Sequence, residues 1–133
     1  MRVNRLDHVN IITDRLDETA AFYAALLGLE RRDAPPPLTP QNAQWMFDEN
    51  GLAIVHINSV DCPRTYDRVV EPGAVTGAIH HVALNCTGHD EVLARIAAMG
   101  LACQTNHVAA IGLRQVFTTD PNNVLLELNF FAG

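Results

Sequence analysis

The chain has 133 residues, the usual size of one domain and long enough to bury a core without staples. Its 48% hydrophobic and 18% charged content excludes a disordered chain, and a formal net charge of −6 without a basic patch argues against nucleic acid and acidic membrane surfaces as partners. No apolar leader opens the sequence and no run approaches the roughly 18 residues of a spanning helix, so the expected address is cytoplasmic.

Leu6 to Thr13 (LDHVNIIT) alternates as a strand, with His8, Asn10 and Ile12 on one face and Val9 and Ile11 on the other. Leu16 to Leu27 spaces Leu16, Ala20, Tyr23 and Leu27 as a helix, with Asp14 or Asp17 as its cap and Gly28 where a left-handed residue ends it. Asp33 to Pro40 holds four prolines and reads as a loop. Gln44 to Phe47 and Leu52 to Ile57 read as strands joined through Asn50-Gly51, a strong hairpin signal. Asn58 to Gly77 lacks periodicity and carries Pro63, Pro72 and Gly73, so it reads as a linker.

The pattern then starts again. IHHVALNC (Ile79 to Cys86) mirrors LDHVNIIT, and His81 falls on His8. A helix from about Asp90 to Met99 ends at Gly100-Leu101 as the first ends at Gly28-Leu29. QVFTTDPNNVLLELN mirrors QWMFDENGLAIVHIN, so Glu127 falls on His56, and an asparagine follows two residues later in both copies, Asn129 and Asn58. The chain is thus expected to be two copies of a strand, a helix and about three strands. The boundaries are about 4–60 for the first module, 61–77 for the linker and 78–131 for the second.

Val124 to Phe130 is almost wholly apolar except for Glu127, whose neighbours are Leu126 and Leu128. A carboxylate in such a strand must be paired, protonated or metal-bound, unless it sits on an edge and faces water. His8, His56, His81 and Glu127 occupy the first and last strands of both copies at equivalent positions. Three imidazoles and a carboxylate suit first-row divalent metals better than magnesium or calcium. His8, His81 and Glu127 also form a two-histidine, one-carboxylate set of the non-haem Fe(II) kind. His80 alternates away from His81 on a strand reading, and His89 and His107 are assigned to loops, so all three are left out. Cys62, Cys86 and Cys103 are odd in number and widely spaced, which fits reduced structural thiols.

The doubled βαβββ layout, DHV and HHVAL opening the copies, LLGLE and AAMGL closing the helices, and DPNN before the closing LELN together resemble the vicinal oxygen chelate superfamily. Its members include glyoxalase I, methylmalonyl-CoA epimerase, fosfomycin resistance proteins, extradiol dioxygenases and metal-free antibiotic-sequestering proteins. The resemblance covers essentially the whole chain. It implies an α+β fold in which two βαβββ modules form a concave mixed or antiparallel sheet cup with helices outside. It implies His8, His81 and Glu127 as metal ligands, with His56 where glyoxalase I and the epimerase carry Glu or Gln. The metal would be iron, manganese, zinc, nickel or cobalt, and the substrate a small molecule that chelates it through neighbouring oxygens.

Glyoxalase-like lyase or isomerase chemistry, with His56 or Glu127 as base, is the first reading. Extradiol-type ring cleavage is the second, and sequestration without catalysis the third. Arg114 is a candidate clamp for a substrate carboxylate and equally a surface residue. Trp45 and Phe117 are candidate apolar pocket walls and equally core. Two-module relatives also imply a homodimer in which His8 and His56 of one chain meet His81 and Glu127 of the other.

Overall fold

A computed structural model describes residues 1–2, 4–63, 77 and 79–132, so most of the expected linker lies outside the described residues. The described residues fall into two compact units, one ending at Pro63 and the other beginning at Gly77.

In the first unit the order is β1 (Val9–Thr13), α1 (Leu16–Leu27), β2 (Glu30–Asp33), β3 (Ala43–Phe47) and β4 (Ala53–Ser59). The sheet runs β1-β4-β3-β2, with β1 parallel to β4 and the other pairs antiparallel. Alternation divides the sheet into two faces. Ile11, Met46, Val55 and Ile57 are buried on one of them. Helix α1, which packs on β2, β3 and β4, buries Leu16, Thr19, Ala20, Phe22, Tyr23 and Leu26. Leu26 is fully buried and Leu27 only partly, one position off the expected stripe. Neither Asp14 nor Asp17 caps the helix. Arg15 is the N-cap, and its backbone N–H donates to Thr13 Oγ1 at 2.9 Å. Gly28 ends the helix at φ +69°, as the sequence predicts.

The opposite face of the same sheet carries Ala43, Trp45, His56 and Asn58. The proline-rich loop folds back over part of it, where Ala34, Leu38, Ala43 and Cys62 form a small apolar cluster with Trp45 packed against them.

The second unit repeats the plan: β5 (Val82–Asn85), α2 (His89–Ala98), β6 (Gln104–Val108), a 3-10 turn (Ala109–Ile111), β7 (Leu113–Thr119) and β8 (Leu125–Phe131). Its sheet order is β5-β8-β7-β6, again with the first pair parallel. The registers match copy for copy: Asn10↔His56 corresponds to Ala83↔Glu127, and Trp45↔His56 to Phe117↔Glu127. Even the hairpin turns agree. Asp48 Oδ1 accepts the N–H groups of Asn50 and Leu52, and Asp120 Oδ1 accepts those of Asn122 and Val124. Gly51 at φ +76° is answered by Asn123 at φ +64°.

β2 (ERRD) and β6 (QTNHV) have no apolar face, so periodicity does not locate them; each is an edge strand formed by pairing with its neighbour. His107 therefore lies in β6 and His89 opens α2, which corrects the loop assignment of both.

Candidate functional site

In the first unit, β1, β3 and β4 bring three rings into one stack. The Trp45 ring lies 3.9 Å from that of His56 at an interplanar angle of 7°, and His56 lies 3.8 Å from His8 at 12°. The Trp45↔His56 pairing fixes the first contact, and His8, one residue before β1, reaches the other face of His56. His56 is 6% exposed and lies on the face away from Val55 and Ile57, where the strand register places it beside His8.

His8 Nδ1 meets Asp7 Oδ2 at 2.7 Å. The His8 hydrogen bond holds the Asp7 carboxyl below its usual range against an opposing effect of desolvation, with a lesser contribution from the nearby charge of Arg5. A carboxylate only accepts, so His8 Nδ1 carries the proton and its Nε2 is left for another partner.

In the second unit, His81 Nε2 stands 3.0 Å from Glu127 Oε2, and the Glu127 side chain is 14% exposed. The other carboxylate oxygen is occupied. Glu127 Oε1 accepts from Gln115 Nε2 at 2.8 Å and from Asn129 Nδ2 at 2.9 Å. Gln115 Nε2 also donates to Asn129 Oδ1 at 3.0 Å, while Gln115 Oε1 accepts from Asn106 Nδ2 at 2.8 Å. The half-buried carboxylate is thus paired, the condition its apolar setting demands. His80 Nδ1 lies 2.9 Å from His81 Nδ1. Both residues precede β5, so strand alternation does not separate them, and His80, which the sequence reading turns away from His81, lies in contact with it.

Phe117 pairs with Glu127 across β7 and β8 and shares its face. Arg114 does not: it pairs with buried Phe130 on the other face, and its guanidinium lies 3.8 Å from Asp90 near the start of α2. The holders of Glu127 escape the sequence reading. The pleat already places Gln115, Glu127 and Asn129 on one face, and the asparagine shared by both copies is the visible signal, but the hydrogen bonds depend on register between strands. A separate cleft of about 740 Å³ in the first unit is lined by Thr13, Arg15, Asp17, Arg31, Asp33 and Gln44 among others, and shares no residue with the ring stack.

Among the described residues no three His, Cys, Asp or Glu side chains gather into a ready metal cluster. The four ligand candidates form two pairs, one in each unit. Their donors, imidazole nitrogen and carboxylate oxygen, are of the kinds that divalent transition metals take. The 3.0 Å between His81 Nε2 and Glu127 Oε2 is an ordinary hydrogen-bond separation, and it sets a nitrogen and an oxygen donor side by side. On His8, the carboxylate behind Nδ1 is the usual arrangement for an imidazole that ligates through Nε2.

Comparison with known proteins gives a consistent result. The model of the Glyoxalase/Bleomycin resistance protein/Dioxygenase superfamily matches residues 5–128. A relative described as Glyoxylase I 4, from Arabidopsis thaliana, is 24% identical over 130 residues, covering 96% of this chain and 71% of that protein. Three solved structures share the fold. A glyoxalase/dioxygenase from Nostoc punctiforme has a TM-score of 0.72 at 16% identity, covering 98% of this chain and 92% of the other. A lactoylglutathione lyase from Agrobacterium tumefaciens has 0.70 at 17%, covering 98% and 96%. A genomically encoded fosfomycin resistance protein from Listeria monocytogenes has 0.66 at 22%, covering 98% and 94%.

Proposed function

Because the chain belongs to the Glyoxalase/Bleomycin resistance protein/Dioxygenase superfamily, we propose that it is a divalent-metal-dependent enzyme. Its substrate is a small molecule that chelates the metal through two neighbouring oxygens, and its reaction is of the glyoxalase-like lyase or isomerase class. The observation that carries this reading is the His81–Glu127 pair, an imidazole nitrogen and a carboxylate oxygen 3.0 Å apart, with the second oxygen held elsewhere. His8, His81 and Glu127 hold the metal, and His56 completes the set as ligand or base.

The metal, when bound, supplies a Lewis acid for the developing oxyanion of the substrate. The remaining work falls to the chain. Trp45 and Phe117, paired with His56 and Glu127, provide apolar walls that exclude water beside the reacting atoms. His56, held flat between two rings, is a base of fixed orientation: it takes a proton from the carbon next to a chelating oxygen and returns it to the neighbouring carbon. Arg114, facing Asp90, has no role in this reading.

The working unit is a homodimer in which His8 and His56 of one chain meet His81 and Glu127 of the other. No described helix is long and apolar enough to cross a membrane. A cytoplasmic address remains part of the proposal.

One observation favours a second reading. His56 is clamped on both faces, so His8, His81 and Glu127 alone make a two-histidine, one-carboxylate set with open positions, the pattern of extradiol-type ring cleavage with Fe(II). Metal analysis of protein purified without chelator, followed by assays of lactoylglutathione formation and of oxygen uptake on catechols, separates the two. Zinc, nickel, cobalt or manganese with isomerisation and no oxygen uptake supports the first reading. Iron with oxygen uptake supports the second. Absence of any stoichiometric metal refutes both and leaves sequestration of a small molecule.

A further inference from the structure

The two copies hold their last-strand residues by different means. In the first unit the position facing Asn58 across β3 and β4 is Ala43, whose methyl group has nothing to donate, and His56 is stacked between the rings of Trp45 and His8. Asn58 Oδ1 is buried there with no hydrogen-bond partner among the described residues. In the second unit the equivalent pair is Gln115↔Asn129, and both side chains turn onto Glu127. Glutamine at this position converts an apolar floor into a closed triangle of hydrogen bonds.

The orientation of that triangle is forced. A carboxylate only accepts, so Gln115 must present Nε2 to Glu127 Oε1, which leaves Gln115 Oε1 for Asn106 Nδ2. A flipped Gln115 amide would set oxygen against oxygen at both Glu127 and Asn129 and nitrogen against nitrogen at Asn106. Gln115 is the one member that touches the other three. Two donors on Oε1 saturate that oxygen and leave Oε2 alone turned to His81.

We propose that Gln115 is a positioning residue that commits Glu127 to bind through a single oxygen, keeping the second oxygen off the metal and a coordination position open for the chelating substrate. This rests on the metal reading above. It explains why the clamp occurs in the copy that carries a carboxylate: a carboxylate has two equivalent oxygens to choose between, and an imidazole edge does not.

The test uses Gln115→Met, which keeps length and removes the donor. In metal-free protein carrying ¹³C-glutamate, the Glu127 carboxyl resonance, assigned with Glu127→Gln, is expected to shift in Gln115→Met; an unmoved resonance shows that no clamp exists and overturns the proposal. In zinc-loaded protein, the splitting between the antisymmetric and symmetric carboxylate stretches of Glu127 is expected to narrow as its second oxygen reaches the metal, and zinc affinity to change by about 10-fold to 100-fold. Should Gln115→Met fold poorly, Asn106→Ala provides the same readouts, because it frees the Gln115 amide without touching Glu127, and it is expected to shift them in the same direction by less. Wild-type protein that takes up none of zinc, iron, manganese, nickel or cobalt overturns the metal reading and the one-oxygen mode with it. Wild-type that binds zinc, beside a folded Gln115→Met of unchanged splitting, overturns this proposal alone.

Discussion

Replacing Glu127 with glutamine is the sharpest probe of the second unit, because it removes one charge and almost no volume. The variant side chain can still offer a carbonyl oxygen to Gln115 and Asn129 and turn its amide toward His81 Nε2, which then accepts where in wild type it donates, so the contacts survive with the His81 tautomer reversed. What changes is strength. Bonds to a charged acceptor are worth about 1.5–3 kcal/mol and neutral ones about 0.5–1.5, so the three of them lose roughly 3 kcal/mol together. Burying a neutral amide costs less than burying a carboxylate, which offsets part of that loss. The expected net change in unfolding free energy is therefore below about 3 kcal/mol.

Metal binding has no such offset, since Glu127 is the one anionic member of the proposed set. Zinc affinity is expected to fall by at least about 100-fold, which is about 2.7 kcal/mol. Chelator competition measures the affinity and urea unfolding of the same preparation measures the stability. A folded Glu127→Gln protein that binds zinc as tightly as wild type would refute the assignment of Glu127 as a ligand. A variant that fails to fold would show that the carboxylate's charge matters to the fold more than these bonds allow.

Four further expectations can be checked. His56→Ala removes two ring contacts worth about 0.5–1.5 kcal/mol each, so it is expected to lower unfolding free energy by about 1–3 kcal/mol as well as metal affinity, and unchanged thermal stability would contradict the stack. Gly51→Ala meets no atom within 4 Å and is expected to cost about 1–2 kcal/mol from its positive φ alone, whereas Gly51→Asn, copying Asn123, should cost less; equal losses in thermal unfolding would count against the turn equivalence. The carboxyl of Asp7 is held below its ordinary value in the folded chain, so its contribution to stability is present above the unfolded value near 4 and is lost as pH falls through the folded value. The stability gap between wild type and Asp7→Asn should therefore close below about pH 4 in urea titrations, and a gap that widens there reverses the sign. If sites are shared in a homodimer, mixing an inactive His8→Ala protein with an inactive Glu127→Gln protein should regain activity after verified subunit exchange, and no recovery would place each site within one chain.

The sequence by itself determined the repeat, because the repeat is written in local signals: alternation through Val9 to Thr13 and Leu125 to Phe131, a helical stripe ended by Gly28, and an Asp-led turn before each last strand. Those signals act over a few residues and need no partner to be read. They also place His8, His56, His81 and Glu127 at equivalent positions, since the side-chain period of a strand is fixed by its backbone.

The edge strands β2 and β6 were not legible, because their residues are polar on both faces and only pairing with β3 and β7 makes them strands. The partners of the candidate ligands were not legible for the same reason. That Trp45 lies flat on His56, or that Gln115 reaches Glu127, depends on which residue of one strand stands opposite which residue of the next. A shift of one residue would send each of these side chains to the other face. Register is set by packing across the whole sheet, and tertiary structure alone decided it.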